Sequence, residues 1–336
     1  MAMSGGVDSS VAALLLKQAG HEVLGFSLRL GQGEDQGWRA GGRAAAQLGL
    51  EHQVVEAAEE FARLVVVPSA EAYAAGLTPN PCALCNARVK LPLLWRAAQA
   101  AGCEALATGH YARLGPGPLG PCLAEAADRS KSQAYFLARV EPGLLTKLWF
   151  PLAELSKAEV RLKAAQEGLE AASRPESQDN CFLPAGGWDE LVSRYARIRG
   201  GPLLDTEGRE LGRHQGLHRF TVGQRRGLGV ALGRPIYVLA LDPDLAAVTV
   251  GPEPLLWAGG LKAGETLWHR RPDPEVPLMA RVRYAHQGAA CRIEPGEEAV
   301  TVYFHEPQRA VAPGQLAVFQ QGDTVVGSAW IREALH

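Results

Sequence analysis

The run Ser4-Gly5-Gly6-Val7-Asp8-Ser9-Ser10 stands directly before a stretch that reads as a helix. Its glycines let the backbone turn sharply and approach a ligand closely. Successive N–H groups at a helix N-terminus then face an anion, and the dipole favours negative charge there. Ser4, Ser9 and Ser10 add hydroxyl donors, so the loop suits a phosphate group. The same residues also read as a helix start after a glycine turn, because Asp8 or Ser9 makes a good N-cap. A second reactive group lies in Thr78-Pro79-Asn80-Pro81-Cys82-Ala83-Leu84-Cys85-Asn86, where the prolines stiffen the backbone. C-x-x-C spacing brings two thiols within reach of one metal, one cluster or each other. No second C-x-x-C completes a zinc site, and the third thiol of interest is Cys181, in Ser177-Gln178-Asp179-Asn180-Cys181-Phe182. Cys103, Cys122 and Cys291 read as buried filler or tolerated surface residues.

Positioning these groups requires an ordered scaffold. In the first half, β-rich runs alternate with Ala/Leu-rich helical stretches. Helices are expected over residues 11–18 (closed by Gly20), 41–48, 91–101 and 157–167, and strands over 22–30, 51–55 and 105–108. That order implies a parallel sheet with helices on both faces. Only Met1, Ala2 and Met3 precede the phosphate loop, whereas a central strand usually runs about 5–6 residues. Either the natural start lies upstream, or the first strand is short and weakly held. The Gly/Pro stretch at 115–121 reads as an exposed loop. From residue 197 glycine, arginine and turn residues become frequent, and short strands follow at 235–240, 247–250, 278–284, 299–304, 316–319 and 324–331. Their spacing suggests a small antiparallel barrel or sandwich.

The chain has 336 residues, 47% hydrophobic and 21% charged, enough for two or three domains of an ordinary globular protein. No apolar run reaches the roughly 20 residues needed to span a bilayer, and no signal peptide is visible, so a cytoplasmic location is expected. There, the six cysteines read as fillers, ligands or reactive thiols rather than structural disulfides. The net charge of −2 argues against a generally basic nucleic-acid binder. A local basic face remains: residues 194–234 hold nine arginines against three Asp or Glu, a surplus suited to phosphates. Tyr195 and Phe220 offer stacking surfaces within it.

The loop SGGVDSS resembles the pyrophosphate loop of the ATP-pyrophosphatases, which cleave ATP between the α and β phosphates. It is followed in order by TPNPCALCN, ATGHYAR (107–113), SQDNCF (177–182), TVGQRRGLG (221–229) and PQRAVAPGQLAVF (307–319). The ordered set, spanning essentially the whole chain, is similar to the bacterial tRNA-specific 2-thiouridylase family. The resemblance implies an α/β fold. A Rossmann-like parallel-sheet ATP-pyrophosphatase domain would occupy residues 1–196, a small central tRNA-binding domain 197–252, and a C-terminal antiparallel β-barrel 253–336. It implies that Ala2, Met3, Ser4, Gly5, Gly6, Val7, Asp8, Ser9, Leu28 and Gly109 line the ATP site. Cys85 matches the nucleophile position and Cys181 the cysteine that carries a persulfide. Asn80, Pro81 and Cys82 match the segment that contacts the target base. His110, Lys131, Ser132, Gln133, Arg283, Tyr284 and Gln315 match positions implied to touch tRNA.

The implied chemistry is adenylation of the carbonyl oxygen at carbon 2 of the wobble uridine, with Mg²⁺ neutralising phosphate charge. Sulfur would come from a donor protein as a persulfide on Cys181. Cys85 and Cys181 would then form a disulfide that must be reduced before the next turnover. The uridine must leave its stack to reach the thiols. The expected partners are tRNA and the donor protein, with no membrane, on a monomeric enzyme. Two departures from the family pattern stand out. Cys82 occupies a position where many members carry Asp, so Cys82, Cys85 and Cys181 could instead hold three irons of a 4Fe-4S cluster whose fourth iron binds sulfide. Ser132 replaces the Asp of the family's Lys-Asp-Gln, and the segment at 31–42 is short, consistent with a reduced lid. Two other readings stay open: an ATP-pyrophosphatase acting on a small molecule, and a non-catalytic tRNA-binding homologue.

Overall fold

The computed structural model describes residues 1–31, 37–115, 121–174, 180–230 and 233–336. The middle of the expected loop (116–120), part of the expected lid (32–36), and Ser177, Gln178 and Asp179 lie outside them. Two units are formed. The first comprises Met1–Val65, Cys82–Phe182 and Asp323–Val326, and the second Val66–Pro81, Leu183–Gly322 and Gly327–His336.

The first unit is organised by its first three residues. β1 (Gly25–Arg29) pairs in parallel with β2 (His52–Glu56), and β3 (Leu106–Ala107) pairs in parallel with β6 (Leu148–Trp149). Residues 1–3 lie between the two pairs. Ala2 bridges Phe26 in parallel, the Met3 N–H donates to the Phe26 carbonyl at 2.7 Å, and the Ala2 N–H donates to the Ala107 carbonyl at 2.8 Å. Met1 and Met3 are buried. The expected short strand is therefore present at the centre of the sheet, with neighbours on both sides and its methionines in the core, which is not a weak hold. Helix α1 (Val7–Gln18) buries Val7, Val11 and Leu14 in a cluster shared with Met1, Met3, Tyr111, Leu152, Val160 and Ala164. Past its end, the Gly20 N–H reaches the Lys17 carbonyl and the His21 N–H the Leu16 carbonyl, the paired bonds of a Schellman stop. Residues 37–42 of the expected lid belong instead to helix α2 (Gly37–Gln47), with Ala40 and Gly41 buried. β4 (Arg113–Gly115) and β5 (Cys122–Ala124) form a hairpin, and Ala124 pairs with Thr324.

The second unit has two β modules. β7 (Gly201–Leu204), β8 (Glu210–His214), β9 (Tyr237–Asp242) and β10 (Ala247–Gly251) form a sheet in the order β8-β7-β10-β9. Its core joins Leu203, Val238 and Val248 to Phe220. The second module comprises β11 (Trp257–Trp268), β12 (Met279–Arg281), β13 (Ala289–Pro295), β14 (Ala299–Arg309), β15 (Leu316–Gln321) and β16 (Thr324–Leu335). These run β11-β14-β13-β12-β15-β16, and β11 pairs back with β16 to close a six-stranded antiparallel barrel. Closure removes exposed edges and excludes the sandwich alternative. Among the described residues no helix is long and apolar enough to cross a membrane.

Phe319 is fully buried in β15 and stacks on Trp268 with ring centroids 5.5 Å apart. Phe319→Ala is expected to cost about 3–5 kcal/mol, read as a lower urea midpoint with an unchanged slope. A midpoint within error of wild type would contradict this packing.

Candidate active site

Helix α1 starts at Gly6 with no side-chain cap. The alternative in which Asp8 or Ser9 caps the helix is thus not realised. The helix Lys157–Gln166 shows the contrast, with a complete capping box from Ser156 and Glu159. An uncapped first turn offers N–H groups to an external anion. The loop is braced by its own hydroxyls: Ser9 Oγ and Ser10 Oγ donate to the Gly6 carbonyl at 3.1 and 3.0 Å, and the Ser4 N–H donates to Ser9 Oγ at 3.2 Å. Two glycines are sterically required. Gly5 has φ +72°, and a Cβ there would lie 2.4 Å from Ala40. A Cβ on Gly109 would lie 2.7 Å from the Ser9 nitrogen, so the backbone after β3 presses on the helix start. Leu28 is half-buried on β1.

Asp8 is held from two sides. Tyr111 Oη donates to Asp8 Oδ1 at 2.8 Å, and Lys157 Nζ reaches Oδ1 and Oδ2 at 2.7 and 2.8 Å. Arg174 donates to the Gly5 carbonyl at 3.1 Å. None of these three partners is evident from motif spacing. Ser156-x-x-Glu159 marks a helix start in the sequence, but nothing local announces that the lysine inside it reaches a loop 149 residues away.

The thiols belong to the same unit. Pro81–Cys85 is a short helix that runs into a π-helical turn, Asn86–Lys90, a rare form frequent at functional sites. Cys85 is buried and Cys181 exposed, and both are free, as is Cys82. Cys82 Sγ donates to Asn180 Oδ1 at 3.4 Å, which ties the C-x-x-C helix to the residue before Cys181. Burial pushes the Cys85 thiol up to about 11, the Lys90 charge opposes this, and the nearby Cys181 and Cys82 sulfurs add to it. Although Cys82 is exposed as a residue, shielding of its sulfur also pushes its thiol up, again against Lys90. His110 is pushed down to about 3 by burial and by the same Lys90 charge. It is therefore a neutral imidazole, and its Nδ1 lies 2.8 Å from Thr108 Oγ1. The Lys90 charge thus acts on Cys82, Cys85 and His110 alike, and His110 follows Gly109, whose backbone packs on Ser9.

The remaining candidates are distributed over both units. In the first, Ser132 is buried and accepts the Ala126 N–H at 3.1 Å. The Gln133 N–H donates to the Tyr111 carbonyl at 2.7 Å, and Gln133 Oε1 accepts the Tyr111 N–H at 3.1 Å, so this glutamine fixes the tyrosine that holds Asp8. Lys131 is half-buried. In the second unit, Gln315 donates to the Thr78 carbonyl at 3.1 Å, which brings it to the segment carrying buried Asn80 and Pro81. Arg283 donates to the Arg309 carbonyl at 3.1 Å, and Tyr284 is exposed.

A family model described as the tRNA methyl transferase HUP domain matches residues 1–185, a PRC-barrel domain model of the same name matches 189–252, and an aminomethyltransferase beta-barrel domain model matches 258–331. A tRNA-specific 2-thiouridylase of Roseiflexus castenholzii is 43% identical over 98% of this chain and 98% of its own length. One of Syntrophotalea carbinolica is 43% identical over 98% of this chain and 97% of its own. This chain belongs to the tRNA-specific 2-thiouridylase family. Whether its thiols fit the cluster considered above is a question of convergence. Among the described residues no three His, Cys, Asp or Glu side chains converge as a metal-binding group. Cys85 is buried while Cys82 and Cys181 are exposed. Asp8 is the carboxylate seated on the loop, paired there with Lys157.

Gly109→Ala is expected to weaken ATP binding by about tenfold or more, because the added methyl displaces the first turn of α1. Equilibrium dialysis with labelled ATP checks this, and unchanged binding would remove the close-approach argument. Alkylation of Cys85 by iodoacetamide should rise about tenfold per pH unit between pH 7 and 10, since its thiol stays protonated until about 11. A rate already level by pH 8, followed by mass spectrometry of the Cys85 peptide, would contradict that protonation state.

Proposed function

We propose that this chain catalyses ATP-dependent 2-thiolation of the wobble uridine of tRNA. The observation that carries the reading is the placement, in one unit, of an uncapped phosphate loop and the Cys85–Cys181 pair. Gly109 packs on the loop, and the next residue, His110, feels the same Lys90 charge as Cys85. Membership of a family whose relatives are named tRNA-specific 2-thiouridylase supports it.

In this reading the N-terminal turn of α1 holds the phosphates, and the uridine oxygen at carbon 2 attacks the α-phosphate, releasing pyrophosphate. The loop donors stabilise charge that grows on the leaving group. A donor protein loads Cys181 with a persulfide, and exposure of that residue suits the transfer. The terminal sulfur attacks carbon 2 and AMP departs with the former uridine oxygen. Cys85, as thiolate, attacks the Cys181 sulfur, so 2-thiouridine leaves and a Cys85–Cys181 disulfide remains. Its proton passes to solvent, and an external thiol reduces the disulfide. At pH 7 about one Cys85 in ten thousand is ionised when its thiol titrates near 11, so this last exchange is the step most in need of a neighbouring cation. Asn80, Pro81 and Cys82 would meet the target base. Lys131, Arg283, Tyr284 and Gln315 would stand at the tRNA surface, with His110, Ser132 and Gln133 supporting it from beneath.

Cys85→Ser and Cys181→Ser are each expected to abolish thiolation while tRNA binding in a filter assay survives. Thiolation retained by either variant contradicts the assigned roles. Asp8→Ala should lose tRNA-dependent AMP release by about 10²-fold or more, and AMP release at the wild-type rate would remove the loop from the chemistry. Enzyme prepared without oxygen should be fully active without iron. Activity that tracks iron content would restore the cluster route.

A further inference from the structure

Lys157 is the first residue of its helix, and its root is fixed twice. Ser156 and Glu159 close the capping box around the helix start, and the Lys157 N–H donates to Asp128 Oδ2 at 3.1 Å. From that anchor the side chain, only 12% exposed, runs past the Tyr111 ring, with Nζ 5.7 Å from its centroid. It ends on both oxygens of Asp8. Asp8 is the second residue of α1, inside the turn that receives the anion. A carboxylate there favours the helix dipole but repels any phosphate that enters. Lysine is a flexible point charge with three rotatable donors, so it can change partners without moving its backbone. Arg174 differs in kind, because its guanidinium is committed to the Gly5 carbonyl.

We propose that Lys157 is a ligand of the nucleotide's phosphates, held in reserve on Asp8 until the anion arrives. On binding, the ammonium exchanges the carboxylate for phosphate oxygens, and Asp8 is freed to face the Mg²⁺ that the nucleotide carries. The pair keeps the empty loop neutral and prevents Asp8 from repelling the incoming polyphosphate. As the bond between the α and β phosphates breaks, Lys157 meets the charge that grows on pyrophosphate. Gln133, by fixing Tyr111, holds the other side of Asp8 so that only the lysine moves. This inference rests on the adenylation reading given above.

The competition has a sign that a purely structural ion pair lacks. Pyrophosphate without metal is titrated calorimetrically at low ionic strength into wild type, Lys157→Met, Lys157→Arg and Asp8→Asn, with melting temperatures measured alongside. Lys157→Met should weaken binding by about tenfold or more, and Lys157→Arg should restore most of it, as the charge-assisted contact requires. Asp8→Asn should tighten metal-free binding severalfold, because the anion no longer competes with a carboxylate for the lysine. Equal affinity in Lys157→Met and wild type overturns the proposal, and so does weaker binding in Asp8→Asn. The Asp8→Asn arm decides even if Lys157→Met fails to fold. Failure of wild type to bind either pyrophosphate or ATP would instead sink the phosphate-loop reading itself.

Discussion

Three adjoining facts at the start of helix α1 constrain the rest of the first unit: no side chain caps the helix, Gly5 turns the backbone with positive φ, and Gly109 touches it with no room for a Cβ. A helix end without a cap is ordinarily a cost, because its first N–H groups lose protein partners. The sequence accepts that cost here while equipping the neighbouring helix at 157–166 with a full capping box. Residues 1–3, which feed the loop, hydrogen-bond to Phe26 on one side and Ala107 on the other. The loop therefore rests on a sheet whose register is fixed by its two neighbours, and the same β3 backbone that braces the strand continues into Gly109 and His110.

In the proposed reaction, sulfur chemistry would stand beside phosphate chemistry. His110 is too deeply buried to ionise, so it separates the loop from the thiols as a neutral ring instead of a competing cation. Lys90 is the charge that Cys82, Cys85 and His110 all feel. Burial keeps the Cys85 thiol protonated, and in the proposed reaction this would protect it from solvent oxidants until it is needed. The exposed sulfur of Cys181 is the one open to a donor protein. In the proposed reaction, burial of Cys85 and exposure of Cys181 would suit the two residues to different roles.

Much of this was legible in the sequence. The phosphate loop, the C-x-x-C, the order of motifs and most elements of the first unit follow from local spacing. The closed barrel was half legible. Six strands of the second unit had alternating apolar residues, whereas β11 carries Gly259, Gly260 and Gly264, which lower strand propensity, and β13 is shortened by the Pro295 turn. Helices over 58–74 and 187–195 escape a local reading, because Val65, Val66, Val67 and Pro68 lower helix propensity inside the first and Gly186 and Gly187 open the second. The pairing of Lys157 with Asp8 and of Arg174 with Gly5 spans well over a hundred residues, and no periodicity reports contacts at that range. Ser132 is a buried hydroxyl that accepts the Ala126 N–H, a placement that motif position alone does not report.

The central claim is that the sulfurs of Cys85 and Cys181 exchange a bond once per thiolated uridine. The direct measurement is a single turnover with persulfide-loaded enzyme, ATP and tRNA, quenched in acid and digested without reductant. Mass spectrometry should find the Cys85 and Cys181 peptides joined by a disulfide in amounts matching the 2-thiouridine formed. Thiolated tRNA accompanied by two free thiols would contradict the account.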